Sequence, residues 1–185
     1  MRAGIAALAL LLAACSKAPE TAERNAASNA AAEPVIEPGI LLRGDGLTVV
    51  LPEYASELRF GTTTVAEAEK ALADFGPARS SQSTEECPTG RLDYRDYPNR
   101  LQLAFQEDKL VGWWAFDDAT AVGTPGGIRP GSPRAALGKA EVTQASFGNV
   151  FTVEKVDGEG VNGLLNDEKA SKVTAMWAGA ACIFD

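Results

Sequence analysis

Hydrophobic and polar positions alternate over Leu101–Gln106, where Leu101, Leu103 and Phe105 interleave with Gln102, Ala104 and Gln106. A two-residue period of this kind marks a half-buried strand. Glu107-Asp108-Lys109 turns the chain into a second strand over Leu110–Phe116, and RLDYRDY (91–97) supplies the strand before. Upstream the period changes. Val65, Ala68, Leu72 and Phe75 recur at helical spacing. Thr64 and Glu67 fit a capping box at the start of that helix, and Gly76-Pro77 stops it. ILLRGDGLTVVLP (40–52) and ELRF (57–60) read as a lead-in hairpin, with the Arg43-Gly44-Asp45 triplet as turn chemistry rather than an adhesion motif.

The pattern recurs. Lys109-Leu-Val-Gly-Trp-Trp-Ala115 lines up with Lys172-Val-Thr-Ala-Met-Trp-Ala178, and LQLAFQED (101–108) with VNGLLNDE (161–168). FTVEKV (151–156), with Asp157–Gly160 as its turn, stands where RLDYRDY stands in the first half. GSPRAALGKA (131–140) matches the first helix start, with Ser132 as N-cap and Pro133 at the first helical position. GTPGG (123–127) reads as the linker between copies. The expected class is therefore α+β: two tandem helix-then-antiparallel-sheet repeats, the first with its lead-in hairpin over residues 39–120 and the second over 121–185.

Adjacent residues of a strand point to opposite faces, so Trp113 and Trp114 cannot share one. Trp114 aligns with Trp177 and Trp113 with Met176. If recurring positions are structural, Trp114 and Trp177 fill the core. Trp113 and Met176 then lie on the sheet face away from the helices, with Tyr94 or Tyr97 as candidates to join them. An aromatic and Met face suits protein recognition. The competing reading has that face covered by the lead-in hairpin or the other sheet.

The first forty residues follow other rules. Arg2 precedes an apolar run from Ala3 to Ala14, too short for a bilayer span of about 20 residues and shaped like a secretory signal. The run ends in Leu12-Ala13-Ala14-Cys15, which resembles the lipobox of bacterial lipoproteins. That resemblance implies a signal peptide over 1–14, acylation of Cys15 after cleavage, and a membrane-held protein. One acyl chain anchors only marginally, whereas several on one Cys hold stably. Ser16 after the Cys, by the same resemblance, favours the outer membrane facing the periplasm. Residues 15–38 form a tether rich in Ala, Glu, Pro, Ser and Asn, with too little apolar surface to offset the entropy of ordering.

Charge and cysteines narrow the rest. The chain carries 17 basic and 25 acidic residues, a formal charge of −8. Nucleic acid, whose binding needs clustered Lys and Arg, is excluded as a partner. With Cys15 assigned to lipid, Cys87 and Cys182 remain, and an exported domain pairs them as a disulfide. On the chain-entropy account that bridge contributes about 4–5 kcal/mol. There is no histidine, which removes the commonest general base and metal ligand. No metal site and no cofactor is expected. Paired carboxylates at Glu85-Glu86, Asp117-Asp118 and Asp167-Glu168 are candidates for glycoside hydrolysis, or simply exposed turns.

The run LRFGTTTVAEAEKALADFG, strands with an acidic hairpin, and GIRPGSPRAAL resemble the tandem helix-plus-sheet domains of the beta-lactamase inhibitor protein family. One copy at a time, they also resemble the small outer-membrane lipoprotein of the barrel assembly machinery. The likeness covers roughly residues 57–185 and implies protein binding rather than catalysis. No binding residue carries over. The expected function is thus a lipid-anchored envelope protein, not an enzyme, that binds another envelope protein. Glycan or peptidoglycan binding by the aromatic sheet face, and a carboxylate hydrolase, are the alternatives. Metabolic labelling with palmitate in a Gram-negative host should mark the wild-type chain and leave Cys15→Ser unlabelled. An unlabelled wild-type chain would contradict the lipobox reading.

Overall fold

A computed structural model describes residues 39–156, 159–166, 169–180 and 182. The expected leader, Cys15 and the tether to residue 38 lie outside the described residues, as do Asp157 and the Asp167-Glu168 pair. Among the described residues, no helix is long and apolar enough to cross a membrane.

The chain opens with a hairpin, β1 (Gly39–Arg43) and β2 (Gly46–Val50), followed by β3 (Ala55–Arg59). Ile40 and Leu42 point inward while Leu41 and Arg43 point away, the alternation that the sequence carries. Helix α1 (Val65–Ala71) comes next. Thr64 accepts the amide of Glu67, and Glu67 accepts the amide of Thr64 at 2.8 Å, so the capping box is formed on both sides. The helix is shorter than its apolar stripe. It passes into a 3₁₀ turn over Ala73–Phe75 and ends at Gly76, whose φ is +97°.

A four-strand meander follows: β4 (Ser80–Thr84), β5 (Leu92–Asp96), β6 (Leu101–Gln106) and β7 (Lys109–Phe116). Glu107 and Asp108 both have positive φ in the β6–β7 turn, the geometry of a tight hairpin. After β8 (Val122–Gly123) and a 3₁₀ turn at Arg134–Leu137, a second meander runs through β9 (Val142–Ala145), β10 (Gly148–Val156), β11 (Glu159–Leu165) and β12 (Val173–Gly179). The meanders join edge to edge through β7 and β12. The result is one eight-stranded antiparallel sheet in the order β4-β5-β6-β7-β12-β11-β10-β9. β3, β2, β1 and β8 form a separate four-stranded sheet.

The core lies between the two sheets. Leu101, Leu103 and Phe105 of β6, Leu110 and Trp113 of β7, Met176 of β12 and Phe151 of β10 meet Ile40, Leu42, Leu47, Val49 and Leu58 of the small sheet. Ala68 of α1 and Leu72, which caps its C-terminal end, close the same cluster. Trp113 is fully buried, and its indole N–H donates to the carbonyls of Arg43 at 3.0 Å and Gly46 at 2.9 Å. These carbonyls flank the β1–β2 turn, so one side chain ties the large sheet to the small one.

The expected α+β class of two tandem helix-then-sheet repeats is overturned. The molecule is mostly β, and among the described residues its single α-helix lies in the first half. The segment from Pro133 makes only a four-residue 3₁₀ turn, because Gly138 in a left-handed conformation (φ +59°) ends it before a second apolar turn can form. Ser132 caps no helix; its hydroxyl accepts the Arg129 amide at 3.0 Å. The expected linker is no linker either. Gly123 belongs to β8, paired in parallel with β1, and the Gly126 amide donates to Glu154 at 2.7 Å.

What does correspond is the sheet itself. Val111 in β7 and Thr174 in β12 are the extra residues of matching bulges. Lys109 bridges Thr64 just as Lys172 bridges Pro133. Replacing Trp113 by Phe would remove the indole N–H that two carbonyls of the β1–β2 turn share and leave a void. Expected costs are about 2–3 kcal/mol, measured as a lower urea midpoint at unchanged m-value. Trp114→Phe should cost less than about 1 kcal/mol.

Candidate functional site

The alternation of Trp113 and Trp114 across the sheet is present, but with the faces exchanged. Trp113 and Met176, expected on an open face, are both fully buried between the sheets. The lead-in strands cover that side, because β1 and β2 belong to a sheet large enough to blanket it. Trp114, half-buried, and Trp177, buried, occupy the other, outer face. Tyr97 does not join an open patch: it is 4 % exposed, on the α1 side of the sheet. There burial pushes its phenol up to about 12, with the Glu69 carboxylate adding to the effect and Arg95 opposing it. Tyr94 is on the outer face, half-buried, in a small apolar cluster with Leu92 and Ala104.

A row of side chains runs straight across six strands of the outer face. Register pairs link Asp96 to Gln102, Gln102 to Trp114, Trp114 to Trp177, Trp177 to Asn162, and Asn162 to Thr152. At about 4.8 Å per strand the row is about 24 Å long. Its middle is aromatic. Trp114 and Trp177 stack with centroids 4.8 Å apart, and Trp114 stacks on Phe116 at 5.8 Å with the rings 6° from parallel. Its ends are polar and hydrogen-bonded among themselves. Gln102 donates to Asp96 at 2.7 Å, Ser80 also donates to Asp96, and Thr152 donates to Asn162 at 2.8 Å. The Trp pair sits where the two meanders meet, so each meander contributes one ring and one polar flank.

The disulfide closes one end of this face. Cys87, in the β4–β5 loop, and Cys182 are bonded, with Cα atoms 5.5 Å apart, as the export argument expects. Cys87 and Cys182 pack with Leu92, Ala104, Tyr94, Val111 and Ala180. The chain leaves β12 by folding over β7: the Ala180 amide donates to Val111 at 2.8 Å. Only a glycine fits at 112 beneath it, since a Cβ there would come within 2.7 Å of the Ala180 carbonyl oxygen.

The carboxylate pairs within the described residues are in turns. Glu85 and Glu86 are exposed after β4, and Asp117-Asp118 follows β7, with Asp117 paired to Lys172 at 3.1 Å. Ser80 and Ser83, on edge strand β4, donate to Asp96 and Asp93 rather than facing a base. The Ser83 hydroxyl, then Arg91, holds the Asp93 carboxyl below its usual range. Among the described residues, no group of three or more His, Cys, Asp or Glu side chains is arranged to hold a metal ion.

Sequence reasoning missed Phe116, Gln102, Asn162 and Thr152 as neighbours of the tryptophans. The signal was present in the aligned segments: one carboxamide-bearing strand stands before each Trp strand. Register, which the sequence does not state, is what brings them into one row. No family model matches this chain, and neither a curated protein nor a solved structure does.

Removing the bridge with Cys87→Ala and Cys182→Ala together should lower stability by about 2–5 kcal/mol, read as a fall in melting temperature. Amide exchange should rise first at Val111 and Ala180, not at Leu103. An exchange pattern unchanged at Ala180 would contradict the role given to the disulfide.

Proposed function

We propose that this chain is a lipid-anchored envelope protein, held at the outer membrane and facing the periplasm, whose folded domain binds another envelope protein through the outer face of its large sheet. One observation carries the reading. Three aromatic rings gather at the centre of a sheet face whose flanking polar groups are already bonded to one another. A centre of large rings inside a polar rim is the anatomy of a protein interface, and aromatic residues dominate the energy of such contacts. The partner that fits offers an apolar patch to Trp114 and Phe116, with flanks that Gln102 and Asn162 hold in place through their bonds to Asp96 and Thr152. The export pattern at Cys15 and the disulfide support an envelope setting.

Glycan binding fits less well. A sugar lies flat on a free aromatic face, and here Trp114 is stacked against both Trp177 and Phe116. A carboxylate hydrolase fits less well again, because the described carboxylate pairs occupy turns rather than facing each other across a cleft.

A photocrosslinking residue at Gln102 or Asn162, in cells, tests the proposal. One defined protein adduct is expected from both positions, absent when the probe replaces Ser81, and lost when Phe116→Asp accompanies it. No adduct from the outer face, or retention of the Gln102 adduct in Phe116→Asp, would overturn it. Binding of the purified chain to peptidoglycan sacculi that Phe116→Asp abolishes would favour the glycan reading.

A further inference from the structure

The free edge of β3 offers a second surface, of a different kind. β3 pairs with β2 on one side only, in unbroken antiparallel register from Gly46↔Arg59 to Val50↔Ala55. Backbone bonds at both ends of the hairpin fix which residues face which way. Leu51 donates to Tyr54, and Phe60 donates to Asp45. Alternate residues of an antiparallel strand bond to the same neighbour, so Tyr54, Ser56, Leu58 and Phe60 spend their backbone on β2. Ala55, Glu57 and Arg59 therefore aim theirs at the free edge. Arg59 bears this out: its amide, turned away from β2, donates to the Thr63 hydroxyl at 2.8 Å, and its carbonyl accepts from the Thr63 amide at 3.1 Å. Ala55 and Glu57 have no such partner among the described residues.

Glu57, flanked by Tyr54, Ser56 and Leu58, lines a groove of about 580 Å³ between β3 and α1. Thr62 and Thr63 close it at the Arg59 end, and the half-exposed ring of Tyr54 stands at the other. Leu58 and Ala71, both buried, contribute its apolar lining. Native proteins usually blunt an edge by keeping it short, by charging it, or with proline, a bulge or a covering segment; β3 is five residues long and carries the paired Glu57 and Arg59. β3 has no proline and no bulge. The other edges differ: β8 is two residues long, β9 four, and β4 is a polar strand that a cleft of about 470 Å³ reaches only at Ser80.

We propose that β3 is a docking edge that takes an extended peptide segment of another protein as an added strand, laid in the groove between β3 and α1. The occupant is specified by what it must supply. Its backbone meets the N–H and C=O of Ala55 and Glu57, so it is extended and free of proline there. One small apolar side chain turns inward to Leu58 and Ala71. Its flanks are near neutral, because Glu57 in the groove is already paired with Arg59 at 2.8 Å and Glu67 stands with Lys70. This site is separate from the outer face and stands without it.

Random twelve-residue peptides displayed on phage and selected on the full chain in detergent are the probe. A selected peptide is expected to bind Glu57→Ala about as well as wild type and Glu57→Pro at least about tenfold more weakly. The proline removes an outward N–H and no bond to β2. In the unaltered protein the same peptide should slow amide exchange at Ala55 and Glu57 about tenfold, and N-methylation at its pairing residue should abolish that. These two readouts decide the matter if Glu57→Pro fails to fold. Selection of no peptide, undiminished binding to Glu57→Pro, or unchanged exchange at Glu57 would each overturn the proposal.

Discussion

Everything in this molecule is oriented by the indole of Trp113. Its one N–H reaches two carbonyls of the β1–β2 turn, from a strand that lies nearly seventy residues further along the chain. A buried N–H left without an acceptor costs about 1–3 kcal/mol, and the fully buried Trp113 finds its acceptors only at this turn, so the contact favours one seating of the small sheet on the large one. Once that seating is set, strand alternation leaves no freedom. Trp113 inside means Trp114 outside, and across the seam Met176 inside means Trp177 outside. The outer face is thus a consequence of the core, not an independent feature.

The seam between β7 and β12 then determines what that face contains. Each meander brings a polar strand and a Trp strand, and antiparallel joining sets the two rings directly opposite. Stacked aromatic pairs add about 0.5–1.5 kcal/mol beyond the area they bury, so the rings also strengthen the junction on which they sit. The same joining leaves the polar ends of the row bonded among themselves. The centre of the row is apolar, which is why protein contact is the reading that the face supports best. The disulfide, by holding the segment after β12 across β7, sets one border of that surface.

How much was legible in the sequence varied with how local the signal is. Thr64 and Glu67 declare a helix start that needs only three residues, and it is formed as written. The alternation of Leu101, Leu103 and Phe105 declares a strand, and the strand is there. The face of the two tryptophans was misassigned for a physical reason. Alternation says that two neighbours part company, but which side is core depends on what covers it, and that was decided by β1 and β2 far away. Recurrence of Trp114 and Trp177 suggested structural duty in the core. Their duty is instead to each other, at the seam. β4 (SSQST) and β9 escaped notice because edge strands with polar side chains carry no hydrophobic period. The second helix was overread because a Ser-Pro start resembles a cap even where Gly138 allows no second turn.

The most direct test of this account is hydroxyl-radical footprinting of Trp113, Trp114 and Phe116, compared between the purified protein and intact cell envelopes. Labelling of Trp114 and Phe116 in the purified chain, with both shielded in envelopes and Trp113 unlabelled throughout, is the predicted result. Labelling of Trp113 in the purified chain, or equal labelling of Trp114 in both settings, would contradict it.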